Sequence, residues 1–282
     1  MSSIKTIPLL FLTINRIMKE HKMIYLKKVV IFNLCMAALL CSPALSAGNF
    51  ADFKAKGDAT WGERDNLDQL KLCLDAYEKA IAIQSKDQEI LARLSIGYYW
   101  FGNLHPGKKN RQIRMDAYQK GMDYAKQLTG INPKSAAGIF WDATNNASYC
   151  NERGFMKSAM NVSSIKAQAE QVMGIERYYY RGGPQRLLAR IYWGTPRFFR
   201  KSGEGLEDGA ELIKDVLSKY PNFTLSYIFL GDIYWEMSEK KLSRETFQKV
   251  LSIPENSLPE FKPENRRDRQ TAKEKLKEYF GL

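Results

Sequence analysis

The chain has 282 residues, with 43 Lys and Arg against 31 Asp and Glu, two His, four Cys and an apolar share of 44%. That length and apolar share suffice for a sizeable core and exclude wholesale disorder, and so few Cys exclude a disulfide-dense miniprotein. Two His exclude a multi-histidine metal centre, and the net charge of +12 needs correcting because the first segment reads as a leader.

Lys27 and Lys28 precede an apolar run from Val29 to Leu40, followed by Pro43 and Ala44-Leu45-Ser46-Ala47. A basic flank, a short apolar core, a helix-breaking Pro and a small-residue end form a secretory signal, with cleavage after Ser46 or Ala47. The stretch before Met23 is long for such a signal, so Met23 is a second candidate start. The run is shorter than the ~20 residues of a membrane-spanning helix. Leu40 stands where lipidation of Cys41 would need a small residue. The expected organisation is a leader at 1–47 and a mature domain at 48–282. Removing the leader takes away six Lys/Arg and one Glu and lowers the net charge to +7. A mildly basic exported chain is no nucleic-acid footprint. The clusters Lys108, Lys109, Arg111, Arg114 and Arg266, Arg267, Arg269 sit beside turn residues and are expected to be solvated faces.

The mature part reads as helices throughout. Cys73 lies on the apolar side of a predicted helix that includes Tyr77 and Ala80. A buried thiol is expected there, although an oxidising compartment would permit a bridge to Cys150. Asp87, Asn132-Pro133 and Asn222 mark helix starts, since short polar side chains accept the free N–H groups of a first turn. Ile165, Ala169, Val172 and Met173 form an i, i+4, i+7, i+8 stripe with polar residues between. Gly182-Gly183-Pro184 breaks one helix and starts the next. Ala272, Leu276, Tyr279 and Phe280 give the charged last segment an apolar stripe, and this helix is expected to cap the end of the fold.

A repeat organises these helices. Tyr227-x-x-Leu230-Gly231-x-x-Tyr234, followed by Phe247, Val250 and Pro254, matches a tetratricopeptide unit, in which a small residue lets the paired helix approach. Leu91-x-x-Leu94-Ser95-x-x-Tyr98 is a second copy, Leu188-Ala189-x-x-Tyr192 a partial one and Ile139-x-x-x-Ala143 a weaker one. Tyr77-x-x-Ala80 and the Ile213-x-x-Val216 run ending at Pro221 supply second helices. The small positions Ser95, Ala143, Ala189 and Gly231 are 48, 46 and 42 residues apart, against a tetratricopeptide period of ~34. Longer helices or insertions at Gly102–Asn110, Cys150–Ser164 and Gly194–Leu206 are therefore expected. Single units cannot bury their apolar faces, so they must stack. The expected fold is all-α, a tetratricopeptide-like helical-repeat solenoid.

Catalytic chemistry has little to work with. His105 lies in a loop, no Cys-x-x-Cys or His-x-x-x-His pair occurs, and Gly203-x-Gly205 lacks the Lys of a phosphate loop. No enzyme activity and no cofactor are expected. The aromatic runs Tyr98-Tyr99-Trp100-Phe101, Phe140-Trp141, Tyr178-Tyr179-Tyr180 and Tyr192-Trp193 admit two readings. One is packing between repeats. The other is a cavity for an apolar or amphipathic ligand, lined by Tyr98, Tyr99, Trp141, Asn145, Tyr179 and Arg186, with Asn146 nearby. Arg186 alternatively forms an ion pair with Asp142 or Asp232.

Arg177-Tyr178-Tyr179-Tyr180-x-Gly182-Gly183-Pro184-x-Arg186-Leu187-Leu188-x-x-x-Tyr192-x-x-x-Pro196 resembles the central motif of the T component associated with TRAP transporters. The helix ending at Tyr220-Pro221 and Leu230-Gly231-x-x-Tyr234 resemble its continuation, so the likeness runs over residues 60–255. The resemblance implies an exported helical-repeat protein of tripartite ATP-independent periplasmic transport. Its implied partner is a periplasmic solute-binding protein, with a homo-oligomer and a cavity or pore for a hydrophobic small molecule. The chain departs from lipoprotein members at Leu40-Cys41 and is expanded between Gly194 and Leu206. A general cell-envelope scaffold for protein–protein interaction is the alternative, and an oligosaccharide binder is a third, weaker one.

Overall fold

The computed structural model describes residues 49–196, 198 and 200–282, without the side chains of 155–160. The expected leader at 1–47 lies outside the described residues. Among these residues every regular element is helical: α1 (Phe50–Trp61), α2 (Leu67–Ile83), α3 (Gln88–Asn103), α4 (Arg111–Ile131), α5 (Ala136–Arg153), α6 (Phe155–Ile175), α7 (Tyr179–Gly194), α8 (Leu206–Lys219), α9 (Thr224–Glu236), α10 (Lys240–Ser252) and α11 (Lys262–Phe280). Short 3-10 turns lie at Lys108–Asn110, Glu255–Ser257 and Pro259–Phe261.

The starts follow local side-chain chemistry. Asn49 and Asp52 form a reciprocal capping box at α1, and Asn66 Oδ1 accepts the Asp68 and Gln69 N–H groups at α2. Asp87 accepts the Ile90 N–H at 2.9 Å, as its position predicts. Two expected starts shift. Asn132 closes α4 while Ser135 caps α5, and α9 begins at Thr224 without a side-chain cap.

Consecutive helices pair as α1/α2, α3/α4, α5/α6, α7/α8 and α9/α10, and α11 packs on α9 and α10. The first helices α3, α5, α7 and α9 also pack on one another in succession. They therefore form the inner layer of a superhelix, with their partners outside. The long repeat spacing comes mainly from helix length, since α4 and α6 each run 21 residues. The expected insertion at Cys150–Ser164 is helical instead: α5 reaches Arg153, and Gly154 alone (φ 92°) separates it from α6. Only a residue without Cβ takes that conformation readily.

The small-residue positions act as predicted. A Cβ on Gly231 would lie 2.6 Å from the ring of Phe247 on α10, which is fully buried. Ser243 Oγ on α10 donates to the Gly231 carbonyl at 2.8 Å, and Ser95 Oγ on α3 donates to the Gly121 carbonyl of α4 at the same distance. Cys73 is buried and its thiol donates to the Gly57 carbonyl at 3.3 Å, joining α2 to α1. The Cys150 thiol donates instead to Asn146 Oδ1, and the two cysteines are not bridged.

The last helix does more than cap the stack. Its first half crosses to the start of the fold, where Arg64 and Glu264, each 2% exposed, form an ion pair. Arg266 grips Asp65 through Nε at 2.7 Å and Nη2 at 2.5 Å, and Glu63 at 2.8 Å. Arg269 donates to the carbonyls of Leu251 (2.9 Å) and Ile253 (2.7 Å). In place of a solvated face, Arg266 of this cluster closes a seam between the first helix pair and the last helix, while Arg269 ties the last helix to the end of α10. Arg267, beside Arg266, pairs with buried Asp268 at 2.9 Å. In the other cluster Lys108, Lys109 and Arg111 are exposed, but Arg114 reaches Glu152 and the carbonyls of His105 and Gly107, tying the α3–α4 loop to the end of α5.

Candidate functional site: the inner face of the superhelix

The segment Arg177–Arg186 decides the shape of the inner face. Tyr180 (φ 50°), Arg181 (φ 52°) and Gly182 (φ 86°) form a left-handed turn at the entry to α7. Two of these carry side chains, for which this region costs about 1–2 kcal/mol per residue. The first regular turn of α7 holds it in place. Arg186 donates to the carbonyls of Tyr180 (2.7 Å) and Arg181 (2.5 Å), and Gln185 donates to that of Arg177 (2.7 Å). Gly183 is needed as well, because a Cβ there would lie 2.6 Å from the Phe140 ring.

The turn sends successive side chains in different directions. Arg177 and Tyr178 bind Asp215 of α8, each at 3.1 Å. Tyr179 accepts the indole N–H of Trp141 at 3.1 Å. Tyr180 packs edge-on to Trp141 and Phe261, both at 5.1 Å between centroids, and its hydroxyl donates to Glu264. Arg181 pairs with Glu260 at 3.0 Å. All five side chains therefore fix the entry of α7 to a neighbouring element, and two of them, Tyr180 and Arg181, hold the segment that closes the seam. Burial, then the Glu264 charge, pushes the Tyr180 hydroxyl well above its ordinary value.

Beside this turn lies a cavity of about 460 Å³. Its wall is built from α3, α5, α7, α9 and α11 and includes Tyr99, Trp141, Arg186, Leu187, Arg190 and Trp193. A second cavity of about 640 Å³ opens between α5, α6, α7 and the loop after α7. The two share Ala147, Asn151, Leu187 and Arg190 as walls. Both volumes fall in the usual range for small-molecule pockets.

Three of the six expected ligand residues, Tyr99, Trp141 and Arg186, stand in the cavity wall. The other three are used elsewhere. Tyr98 stacks on Tyr124 at 5.9 Å with its hydroxyl on Glu78, beside α2 and α4. Asn145 is fully buried and donates to the carbonyls of Ser95 (3.3 Å) and Trp141 (2.8 Å), fastening α5 to α3. Tyr179 serves Trp141 and lies outside both cavity walls. Consecutive residues on a helix point about 100° apart, so neighbouring aromatics were bound to divide between core and cavity.

Arg186 also departs from expectation, because neither Asp142 nor Asp232 pairs with it. Its guanidinium is satisfied by two carbonyls and by Ser226 Oγ at 3.3 Å, and lies 4.3 Å from the centroid of Phe223. Burial lowers its pKa to about 10. Arg190, one turn further on, was missed in the sequence, although its i+4 spacing from Arg186 places both on one face. His105 faces the Phe101 carbonyl at 2.7 Å. Among the described residues no cluster of His, Cys, Asp and Glu could hold a metal, and no helix is long and apolar enough to cross a membrane.

Comparison with known proteins agrees with this architecture. Residues 225–257, which form α9 and α10, match the tetratricopeptide repeat. TTC0263, a thermophilic tetratricopeptide protein of Thermus thermophilus, has a similar structure (TM-score 0.52, 14% identity), covering 73% of this chain and 91% of that one. The crystal structure of MamA gives a TM-score of 0.41 at 14% identity, covering 82% of this chain and 95% of that one. Protein O-mannosyl-transferase TMTC3 of Mus musculus is 21% identical over 140 residues, which are 50% of this chain but only 15% of that protein. The protein therefore carries a tetratricopeptide repeat at residues 225–257 within an all-helical solenoid of the tetratricopeptide-repeat fold.

Proposed function

We propose that this protein is a non-enzymatic accessory of a TRAP-type transport system, exported to the periplasm through its leader. In this reading its outer surface docks a periplasmic solute-binding protein and its inner cavity holds a small ligand with an apolar body. The observation that carries the reading is the seam at Arg64, Glu264 and Arg266. It brings α11 into the wall of the inner cavity, so the space that an open solenoid would offer to a peptide is an aromatic-lined pocket of small-molecule size. The motif at Arg177–Pro196 adds the resemblance to T components.

A general cell-envelope interaction scaffold is the second reading, favoured by the repeat at residues 225–257 and by the fold itself. One experiment separates them. The mature protein, tagged and incubated with an envelope extract of its own organism, is expected to retain a periplasmic solute-binding protein. Recovery of other envelope proteins without any solute-binding protein would refute the transport role and leave the scaffold.

A further inference from the structure

The charges around the inner cavities do not cancel, and the imbalance is localised. Three carboxylates surround the first cavity, and each has its cation. Glu264 is paired with Arg64. Asp232 lies 3.2 Å from Lys275 and accepts the Tyr279 hydroxyl at 3.0 Å. Asp268, just behind the wall, is 2.9 Å from Arg267. Two cations are left over, both on α7. Arg186 is 3% exposed and held by carbonyls and a hydroxyl, so its charge is solvated but not neutralised. Arg190 has no hydrogen bond and no ion pair among the described residues; Asp232, already paired with Lys275, acts on it through its charge without a direct bond. The Arg190 guanidinium lies 3.8 Å from the centroid of Trp193.

Arg190 also occupies the place where the two cavities meet, in the wall of both. The residue is exposed in part, yet desolvation of its guanidinium pushes its pKa below the ordinary value against the opposing charge of Asp232. In the second cavity Glu170 and Glu204 share Lys166, and Lys201 adds a further cation. No unpaired carboxylate stands in either wall to attract a cationic ligand. A guanidinium carries five N–H donors in a planar fork that fits a carboxylate with two parallel bonds. Apolar surface lies to either side of it, with Trp141, Tyr99 and Phe229 in one cavity and Ile165 and Ile191 in the other.

We propose that the joined cavities bind an amphiphilic organic acid, with its carboxylate on Arg190 and its apolar body against the Trp141 side. This deepens the reading of the inner cavity as a ligand site and rests on it. Arg186, in the wall but with its guanidinium held by two carbonyls and a hydroxyl, adds positive potential without a direct bond. Stacking on Trp193 holds the Arg190 guanidinium in one plane, which lowers the ordering cost when the acid arrives.

The test is titration calorimetry of the full chain with decanoate, 4-phenylbutyrate and the uncharged decanol. The two acids are expected to bind with Kd below about 1 mM, at least tenfold more tightly than decanol. Arg190→Gln is expected to weaken the acids ten- to a hundredfold and leave decanol unchanged, and Arg190→Lys to recover part of the loss. Arg190 faces a cavity, so both variants should keep the wild-type melting temperature. Equal affinity for acid and alcohol, unchanged acid binding by Arg190→Gln, or no acid binding below about 1 mM would overturn the proposal. Loss of acid binding with the solute-binding protein still retained sinks this inference alone. Acid binding without that partner sinks only the transport role.

Discussion

The seam between Arg64 and Glu264 gives the sharpest test of the architecture, because its partners are 200 residues apart in sequence. Glu264 accepts from Arg64 and from the Tyr180 hydroxyl. Arg64 also donates to the carbonyls of Trp61 (3.1 Å) and Glu260 (3.2 Å) and lies over the rings of Trp61 and Trp100. Glu264→Leu leaves this guanidinium buried with two carbonyls but no counter-charge. Breaking such a pair by removing one partner costs about 3–5 kcal/mol, whereas replacing both with apolar residues is often close to neutral. Glu264→Leu and Arg64→Met are each expected to lower unfolding free energy by about 3 kcal/mol or more, and the double variant by distinctly less than their sum. Tyr180→Phe removes one donor and should cost about 1–2 kcal/mol. Urea unfolding followed by far-UV circular dichroism measures all four. Single losses under about 1 kcal/mol, or a double variant equal to the sum of the singles, would show that the seam is not a buried coupled pair. The reading of α11 as part of the cavity wall would then fail with it.

Two further predictions concern packing and pH. Gly231→Ala places a methyl group against the Phe247 ring and is expected to cost about 1–3 kcal/mol in urea unfolding; an unchanged midpoint would contradict the close approach of α9 and α10. Asp142 accepts from Gln168 at 2.7 Å, but its Oδ1 is buried without a hydrogen-bond partner, and burial raises its pKa. A carboxyl that holds its proton more tightly when folded weakens the fold once ionised, so stability tied to it is gained as pH falls from neutral towards the ordinary Asp value of 3.8. Asp142→Asn should therefore match or exceed the wild type at pH 7, with an advantage that shrinks on acidification. An advantage that grows as pH falls would refute the sign.

Much of the fold was legible in the residues. The small positions Ser95, Ala143, Ala189 and Gly231 each fall on a first helix of a pair, namely α3, α5, α7 and α9. The stripe Ile165, Ala169, Val172 buries as its spacing demands. Less legible was the stretch 150–164, where polar and small residues suggested a loop although one glycine suffices to pass from α5 to α6. Helix propensity is a weak prior there, and packing along the stack overrides it. The site was half legible. Tyr99, Trp141 and Arg186 reach the cavity, while Tyr98 and Asn145 lie on other faces of the same helices. Composition and adjacency alone do not say which of two neighbouring aromatics looks inward.

The sequence by itself determined the elements and their pairing, because capping, apolar periodicity and the small-residue contact act between residues a few positions apart or on paired helices. Tertiary structure decided three things: that Arg266 closes a seam, that Arg186 is satisfied by carbonyls, and that Arg190 is left without an ion pair between two cavities. These outcomes depend on the curvature of the superhelix, which accumulates from a small rotation at each repeat. Only the accumulated sum brings residue 64 to residue 264 and fixes which charges meet and which one remains for a ligand.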